Sequence, residues 1–176
     1  RSRGLGDVYK RQINDLVSKY LTAKVACDQA TLQSLVTDPT EFDDMSVLES
    51  SAKYLKGFED TTCYLADGYA EGEYVVVELS YMDIADVESK PLDIVTFYII
   101  KDKDGSYKID NGELSNAQLS YLNSFKASKD IQDIYVHVKE NTEYLLDTDK
   151  TFRAFYDLIS KPATTENTAA TPEDAQ

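Results

Sequence analysis

The residues of this chain that could carry out chemistry are scattered, and no spacing joins them into a catalytic motif. The single histidine, His137, falls near the edge of the apolar stripe of a predicted helix, where a partly exposed side chain is expected. The sequence has no glycine-rich phosphate loop, no GxSxG nucleophile elbow and no HExxH zinc motif. We therefore predict no catalytic residue, no metal site and no cofactor.

Two acidic segments have the composition of turns. Asp102-Lys-Asp-Gly has its glycine at the fourth position, whereas an EF-hand loop needs glycine at the sixth and a bidentate acid at the end. A hairpin turn accounts for this segment, and Asp110-Asn-Gly has the same turn chemistry. A weak calcium site formed by both turns outside a cell is the alternative.

The two cysteines, Cys27 and Cys63, allow two interpretations. They lack CxxC spacing and the sequence contains one histidine, so these residues do not suit a zinc site. Joined as a disulfide in an oxidising compartment, they would close a long loop, which is worth about 4 kcal/mol. As free thiols they would be small apolar side chains, one at a helix end and one in a strand. The sequence leaves both interpretations open.

Length and charge limit the class of protein. With 176 residues, of which 42% are apolar, the chain is long enough for one domain with a hydrophobic core. The formal net charge of −14 argues against binding to nucleic acid or to an anionic membrane, since both need clustered Lys and Arg. No apolar run of about 18 residues is present, so no segment of this sequence is expected to span a membrane.

Two apolar runs, residues 74–84 and 92–100, are the clearest structural signal. Both are rich in β-branched and aromatic residues with period two, which predicts strands with two distinct faces. Further strands are predicted at 61–69 and 107–110. In the first run, one face of the strand is expected to carry Val75, Val77, Leu79 and Tyr81. In the second run, one face of that strand is expected to carry Val95, Phe97 and Ile99.

Helical periodicity precedes and follows these strands. A helix is predicted from Ile13, Asp28 is the expected N-cap of a second, and a third covers about 44–55. After the strands, Ser115 and Gln118 have the spacing of a capping box, and further helices follow. The pattern predicts an α+β fold in which N-terminal helices pack on a curved, cone-like antiparallel sheet and C-terminal helices come after it.

The sequence divides into four parts. Within residues 1–12, Asp7-Val-Tyr-Lys-Arg-Gln is similar to the translation of a transposon-end sequencing adapter, so we expect an artefact of assembled environmental reads and a missing natural N-terminus. Residues 13–113 form the cone-like domain, and residues 114–161 form the C-terminal helical extension. Residues 162–176 contain Thr, Ala, Pro and acids without apolar periodicity, which predicts a disordered tail or linker.

The order of elements resembles the nuclear-transport-factor-two-like superfamily, the cone-shaped α+β fold of SnoaL-like and ketosteroid-isomerase-like proteins. Residues 20–38 (YLTAKVACDQATLQSLVTD) are similar to its first helix, Asp cap and second helix, and Asp104-Gly-Ser-Tyr-Lys-Ile is similar to its closing strand. The resemblance covers residues 13–113. Acidic, Tyr-rich versions with a helical extension look like extracytoplasmic domains of membrane-anchored or lipoprotein-type bacterial surface proteins.

We expect a non-enzymatic extracytoplasmic domain that binds a protein or a small molecule and is tethered through a missing N-terminal anchor. The candidate ligand-binding residues are Tyr20, Tyr81, Phe97 and Tyr98. One alternative is a cone-pocket isomerase or lyase, which would suit a cytoplasmic location. The other is a module that forms a homodimer through an open sheet face.

The enzyme alternative needs a carboxyl group as acid or base in the mouth of the cone, and a Tyr or a protonated acid to hold an oxyanion. Asp83 and Asp93 are the candidate acids. We expect Glu78 to lie on the solvent face of its strand and not in the cavity.

Overall fold

The computed structural model describes the backbone of residues 3–170 and the side chains of residues 10–160. In this part of the chain a block of helices precedes a sheet and a second block follows it, which confirms the predicted α+β class. The helices are α1 (Arg3–Ala26), α2 (Gln29–Leu35), α3 (Ser46–Ala52), α4 (Asn116–Ala127), α5 (Lys129–Thr148) and α6 (Lys150–Ala170), with a 3₁₀ turn at Pro39–Phe42. The strands are β1 (Leu55–Asp67), β2 (Tyr74–Ile84), β3 (Leu92–Lys101) and β4 (Tyr107–Ile109).

The strands form one antiparallel sheet in the order β1-β2-β3-β4. Glycine permits two of its turns. The Gly68 N–H donates to the Glu73 carbonyl at 2.7 Å, and a Cβ on Gly68 would lie only 2.7 Å from Glu73. Gly105 has a φ of 84° in the β3–β4 turn, which confirms the hairpin turn predicted from Asp102-Lys-Asp-Gly. Because each strand pairs with the strand that follows it in the sequence, the order of the strands in the sequence is also their order in the sheet.

One side of the sheet, called here the inner face, carries Val76, Phe97 and Ile99 and packs against α1 and α2. These apolar side chains alternate along their strands with residues that point the other way, as the period-two pattern predicts. The buried cluster on this side consists of Ile13, Leu16, Val17, Leu21, Ala23, Leu32, Val36, Phe42, Val76, Phe97, Ile99 and Ile109.

The opposite side, called here the outer face, is also buried. Val75 and Val77 are fully buried there, and Tyr98 is 4% exposed. The helix α5 crosses β3 on this side: the Thr96 and Tyr135 hydroxyls are 3.4 Å apart, and Asn141 Oδ1 accepts a hydrogen bond from the Leu92 N–H at 3.0 Å. The C-terminal helices therefore act as a second cover for the sheet and not as a separate appendage.

Local signals place several element ends correctly. The predicted N-cap Asp28 accepts hydrogen bonds from the Thr31 N–H and hydroxyl, and the capping box of Ser115 and Gln118 is formed at the start of α4. The first strand was predicted too short, because β1 begins at Leu55. Its early residues have weak strand propensity, and pairing with the far end of β2 holds them extended.

The two ends of the chain are helical where the backbone is described. The helix α1 begins at Arg3, inside the segment that is similar to an adapter, and α6 continues to Ala170, past Pro162 and into the predicted linker. Residues 171–176 of that linker lie outside the described residues. The origin of residues 1–12 stays a prediction. Among the described helices, none is long and apolar enough to cross a membrane.

Candidate functional site

A carboxyl group lies inside the protein, between the sheet and α1. Glu78 is fully buried and Ser80 is 1% exposed, and both follow Val76 with period two on the inner face of β2. The prediction that Glu78 faces solvent is wrong. Because helices cover both faces of β2, no position between Val75 and Glu78 remains open to water, whichever way its side chain points.

The carboxyl of Glu78 is only partly satisfied. Its Oε1 accepts a hydrogen bond from the Ser80 hydroxyl, whereas its Oε2 is buried and has no hydrogen-bond partner among the described residues. Leaving a buried polar atom unpaired costs about 1–3 kcal/mol, and more when the group is charged. Buried polar groups in native proteins are nearly always paired, so an exception of this kind points to a functional role.

Side chains of β1, β3 and α1 lie near Glu78. Cys63 on β1 and Val95 on β3 lie opposite it in register, and Asp93 lies opposite Ser80. The ammonium group of Lys24, in the last turn of α1, acts electrostatically on both carboxyl groups. Glu78, Ser80, Asp93 and Lys24 are called here the inner carboxyl site.

Burial is the main influence on the acids of this site. It raises the pKa of Glu78, which the Ser80 hydrogen bond and Lys24 partly offset and the charge of Asp93 increases further. Burial also raises the pKa of Asp93, against the effects of Lys24 and the Ile94 N–H. The pKa of the Cys63 thiol rises to about 11, through burial and the nearby Glu78. This thiol is therefore a poor nucleophile at neutral pH.

The arrangement can bind polar groups or move a proton. A carboxyl group with a raised pKa stays neutral to higher pH and can both donate and accept a hydrogen bond, while Lys24 can attract an anion. A cavity of about 340 Å³ lies between α1 and the start of β1, with both apolar and polar lining residues, among them Leu21, Phe58 and Lys56. No residue of the inner carboxyl site lines it. Within the residues described, no three or more His, Cys, Asp or Glu side chains are grouped to hold a metal ion.

Two of the aromatic residues singled out in the sequence meet on the inner face. Tyr20 of α1 contacts Phe97 edge-on, with ring centroids 5.4 Å apart, and Phe42 at 6.4 Å. Burial raises the pKa of Tyr20, as does the nearby Glu41. Phe97 is opposite Val76 in register, one pair of inner-face residues away from Glu78. These rings belong to the apolar cluster beside the inner carboxyl site.

The other two aromatic residues belong to the opposite side of the sheet. Tyr81 is 37% exposed, whereas the Tyr98 hydroxyl donates to Glu73 Oε1 at 2.6 Å and accepts from the Tyr69 N–H at 2.9 Å. Gln118 Nε2 of α4 also donates to Glu73 Oε1, at 3.1 Å. Burial and the bond to Glu73 raise the pKa of Tyr98 to about 12. This network ties the β1–β2 turn to α4.

We expect Tyr98→Phe to lower the free energy of unfolding by about 1–3 kcal/mol, because the Tyr69 N–H and Glu73 each lose a partner. Urea denaturation followed by circular dichroism measures the change. Tyr81→Phe removes the hydroxyl of a more exposed tyrosine and is the control, with an expected change within about 0.5 kcal/mol. Equal effects of the two substitutions would show that the network does not stabilise the fold.

The remaining candidates are spread through the fold. Cys27, at the C-terminal end of α1, and Cys63 are free thiols in the structure, and the disulfide stays one of the two interpretations of this pair. His137 is exposed on α5. Of the two predicted acids, Asp93 belongs to the inner carboxyl site, whereas Asp83 has the strand parity of Tyr81 and points to the outer face.

Comparison of the chain with protein-family models, with curated proteins and with solved structures gave no match. A function for the inner carboxyl site therefore has to be inferred from its geometry and chemistry alone.

Proposed function

We propose that this chain is a ligand-binding domain, and that its ligand lies between α1 and the inner face with a polar group against Glu78. The observation that carries the proposal is the buried Oε2 atom of Glu78, which has no partner among the described residues. A ligand hydroxyl, amide or carbonyl group placed there would pair this atom and recover the cost of its burial.

The surroundings of Glu78 support the same assignment. Lys24 and Asp93 are half-buried and keep some contact with solvent, whereas Glu78 has none. A cavity beside α1, at about 340 Å³, falls at the lower end of the volumes that enclose small ligands. Glu78 is fully buried and does not line this cavity, so a ligand there reaches Glu78 only when α1 moves aside.

A thermal-shift screen tests the proposal, with the whole chain and a panel of small alcohols, ketones, sugars and carboxylic acids. We expect at least one class to raise the Tm of the wild type but not of Glu78→Leu, because leucine fills a similar space without a polar atom. Glu140→Gln, which changes an exposed carboxylate on α5, is the control and should respond like the wild type. Absence of any response, or an equal response of Glu78→Leu, would contradict the proposal.

The second candidate function is a cone-pocket isomerase or lyase, as the superfamily resemblance implies. It is favoured by one observation, the raised pKa of two carboxyl groups on adjacent strands, which suits Asp93 as a base and Glu78 as an acid. Incorporation of deuterium from D₂O next to the carbonyl group of small ketones would distinguish this function from simple binding. Exchange should then disappear in Asp93→Asn.

The location and the assembly of the protein stay predictions. We propose an extracytoplasmic, membrane-anchored or lipoprotein-type surface protein as its context, on the ground of the acidic, Tyr-rich sequence and its C-terminal helical extension. A homodimer through an open sheet face has less support, because α5 covers the outer face over β3.

A further inference from the structure

The edge strand β1 has backbone groups that no other strand uses. It lies at one end of the sheet, so its far edge has no neighbouring strand in the described part of the chain. The bond from the Gly68 N–H to the Glu73 carbonyl fixes the alternation along the β1–β2 pair. Since hydrogen-bonded pairs alternate in an antiparallel ladder, Cys63 and Leu65 direct their N–H and C=O groups away from β2.

The open part of this edge is short and well defined. A bulge between Glu59 and Thr62, with Asp60 at a φ of 50°, interrupts the strand on one side. On the other side, the Tyr121 hydroxyl donates to the Asp67 carbonyl at 2.5 Å. Residues 62–66 between these points form the segment called here the open edge. An unpaired edge of this kind is a template for an added strand.

An apolar cavity of about 480 Å³ lies beside the open edge, where an added strand would place its side chains. Its walls come from Tyr64 and Ala66 of β1 and from Phe125, Ile131 and Ile134 of α4 and α5. Ile131 is 6% exposed, and Tyr64 is 43% exposed. Successive residues of a strand point to opposite faces, so every second residue of an added strand would face the side of the sheet on which this cavity lies.

The charges around the cavity favour a basic occupant. Its two charged lining residues are Asp130 and Asp133, and Asp133 forms an exposed ion pair with Lys129 at 2.7 Å. Asp60 and Asp67, at the two ends of the open edge, are exposed acids as well. The chain as a whole has a net charge of −14, which opposes a second copy of itself at this edge.

We propose that the open edge of β1 binds an extended, basic peptide segment of another protein by strand addition. The peptide forms backbone hydrogen bonds with Cys63 and Leu65, places an apolar side chain in the cavity below α5, and directs Lys or Arg toward Asp130 and Asp133. This surface is separate from the inner carboxyl site, since Tyr64 and Ala66 point to the outer face. Binding of a peptide at the open edge does not depend on the ligand proposed for the inner carboxyl site.

Selection from a phage-displayed library of random linear peptides on the whole chain tests the proposal. We expect the selected peptides to share an apolar residue flanked by Lys or Arg, and to bind less tightly as salt is raised from about 50 to about 500 mM. The synthetic peptide should slow amide hydrogen exchange at Cys63 and Leu65 at least about tenfold, because exchange there requires release of the added strand.

Two sets of variants distinguish strand addition from nonspecific adsorption of the peptide. In the peptide, N-methylation of alternate amides should abolish binding in one register and leave it in the other, which is independent of the folding of the protein. In the protein, Ile134→Lys should abolish binding, whereas Val136→Lys, at a 50% exposed position of α5, should not.

Three results would overturn the proposal. The first is that the library enriches no peptide over a blank surface, and the second is that the selected peptides protect amides outside residues 62–66. The third is that amides of Cys63 and Leu65 are already protected without peptide and light scattering gives the mass of a dimer, which assigns the open edge to a second copy of the chain.

Discussion

Glu78→Gln is expected to stabilise the protein by about 1–3 kcal/mol at alkaline pH, because the wild type must then bury a carboxylate with one unpaired oxygen, whereas glutamine stays neutral. Glutamine keeps the size of the side chain and an acceptor for the Ser80 hydroxyl, but it cannot ionise. The substitution is also expected to remove the ligand response, if the ligand binds at the inner carboxyl site.

The pH dependence of this effect has a definite sign. Burial raises the pKa of Glu78 in the folded state above its ordinary value of 4.5, so the folded protein holds the proton to higher pH than the unfolded chain. Below pH 4.5 the group is neutral in both states, and the advantage of glutamine is small. As the pH rises through the folded pKa of Glu78, the wild type loses stability relative to Glu78→Gln. Above that pKa the difference stays constant.

Urea denaturation of both chains at intervals from about pH 4 to about pH 9 measures this difference. Asp93 has a raised pKa too, but it is present in both chains and contributes mainly to their common trend. Glu140→Gln is the control and should follow the wild type at every pH, because its carboxylate is exposed. A difference between wild type and Glu78→Gln that does not change with pH would mean that Glu78 titrates alike in both states.

Removal of the C-terminal helices is expected to abolish cooperative folding. A chain that ends at residue 113 keeps the sheet but exposes Val75, Val77 and Tyr98, of which the first two are fully buried in the complete protein. Burial of one such side chain contributes about 1.5–3 kcal/mol. Three of them approach the whole net stability of a typical domain, about 5–15 kcal/mol.

Thermal unfolding followed by near-ultraviolet circular dichroism of the tyrosines tests this expectation. A chain that ends at Ser160 is the matched control, since it keeps α4, α5 and the first part of α6. We expect a cooperative transition for the control and none for the shorter chain. A cooperative transition of residues 1–113 alone would show that the cone-like part is an independent domain, as the division at residue 113 predicts.

Sequence patterns predicted the regular parts of this fold because local chemistry determines them. The alternation of β-branched and aromatic residues identified β2 with its observed bounds, Tyr74–Ile84. The side-chain acceptors of Asp28 and Ser115 identified two helix starts, since a capping side chain bonds to N–H groups only two or three residues away.

The inner carboxyl site could not be predicted in the same way, because it depends on contacts between distant segments. Asp93 was a candidate, but its place opposite Ser80 follows from the register of β2 and β3. Glu78 was assigned to solvent on the assumption that polar strand residues face water. One signal was present: Val75, Val76 and Val77 are consecutive apolar residues, which is typical of a strand covered on both faces.

The most direct test of the inner carboxyl site is the pKa of Glu78 in the folded protein, followed through the ¹³C shift of its carboxyl carbon during a pH titration. The resonance is assigned with Glu78→Gln. We expect a midpoint above the ordinary value of 4.5, since burial favours the neutral carboxyl. A midpoint at or below 4.5 would mean that water or a cation satisfies the carboxylate, and would contradict a buried group that awaits a ligand.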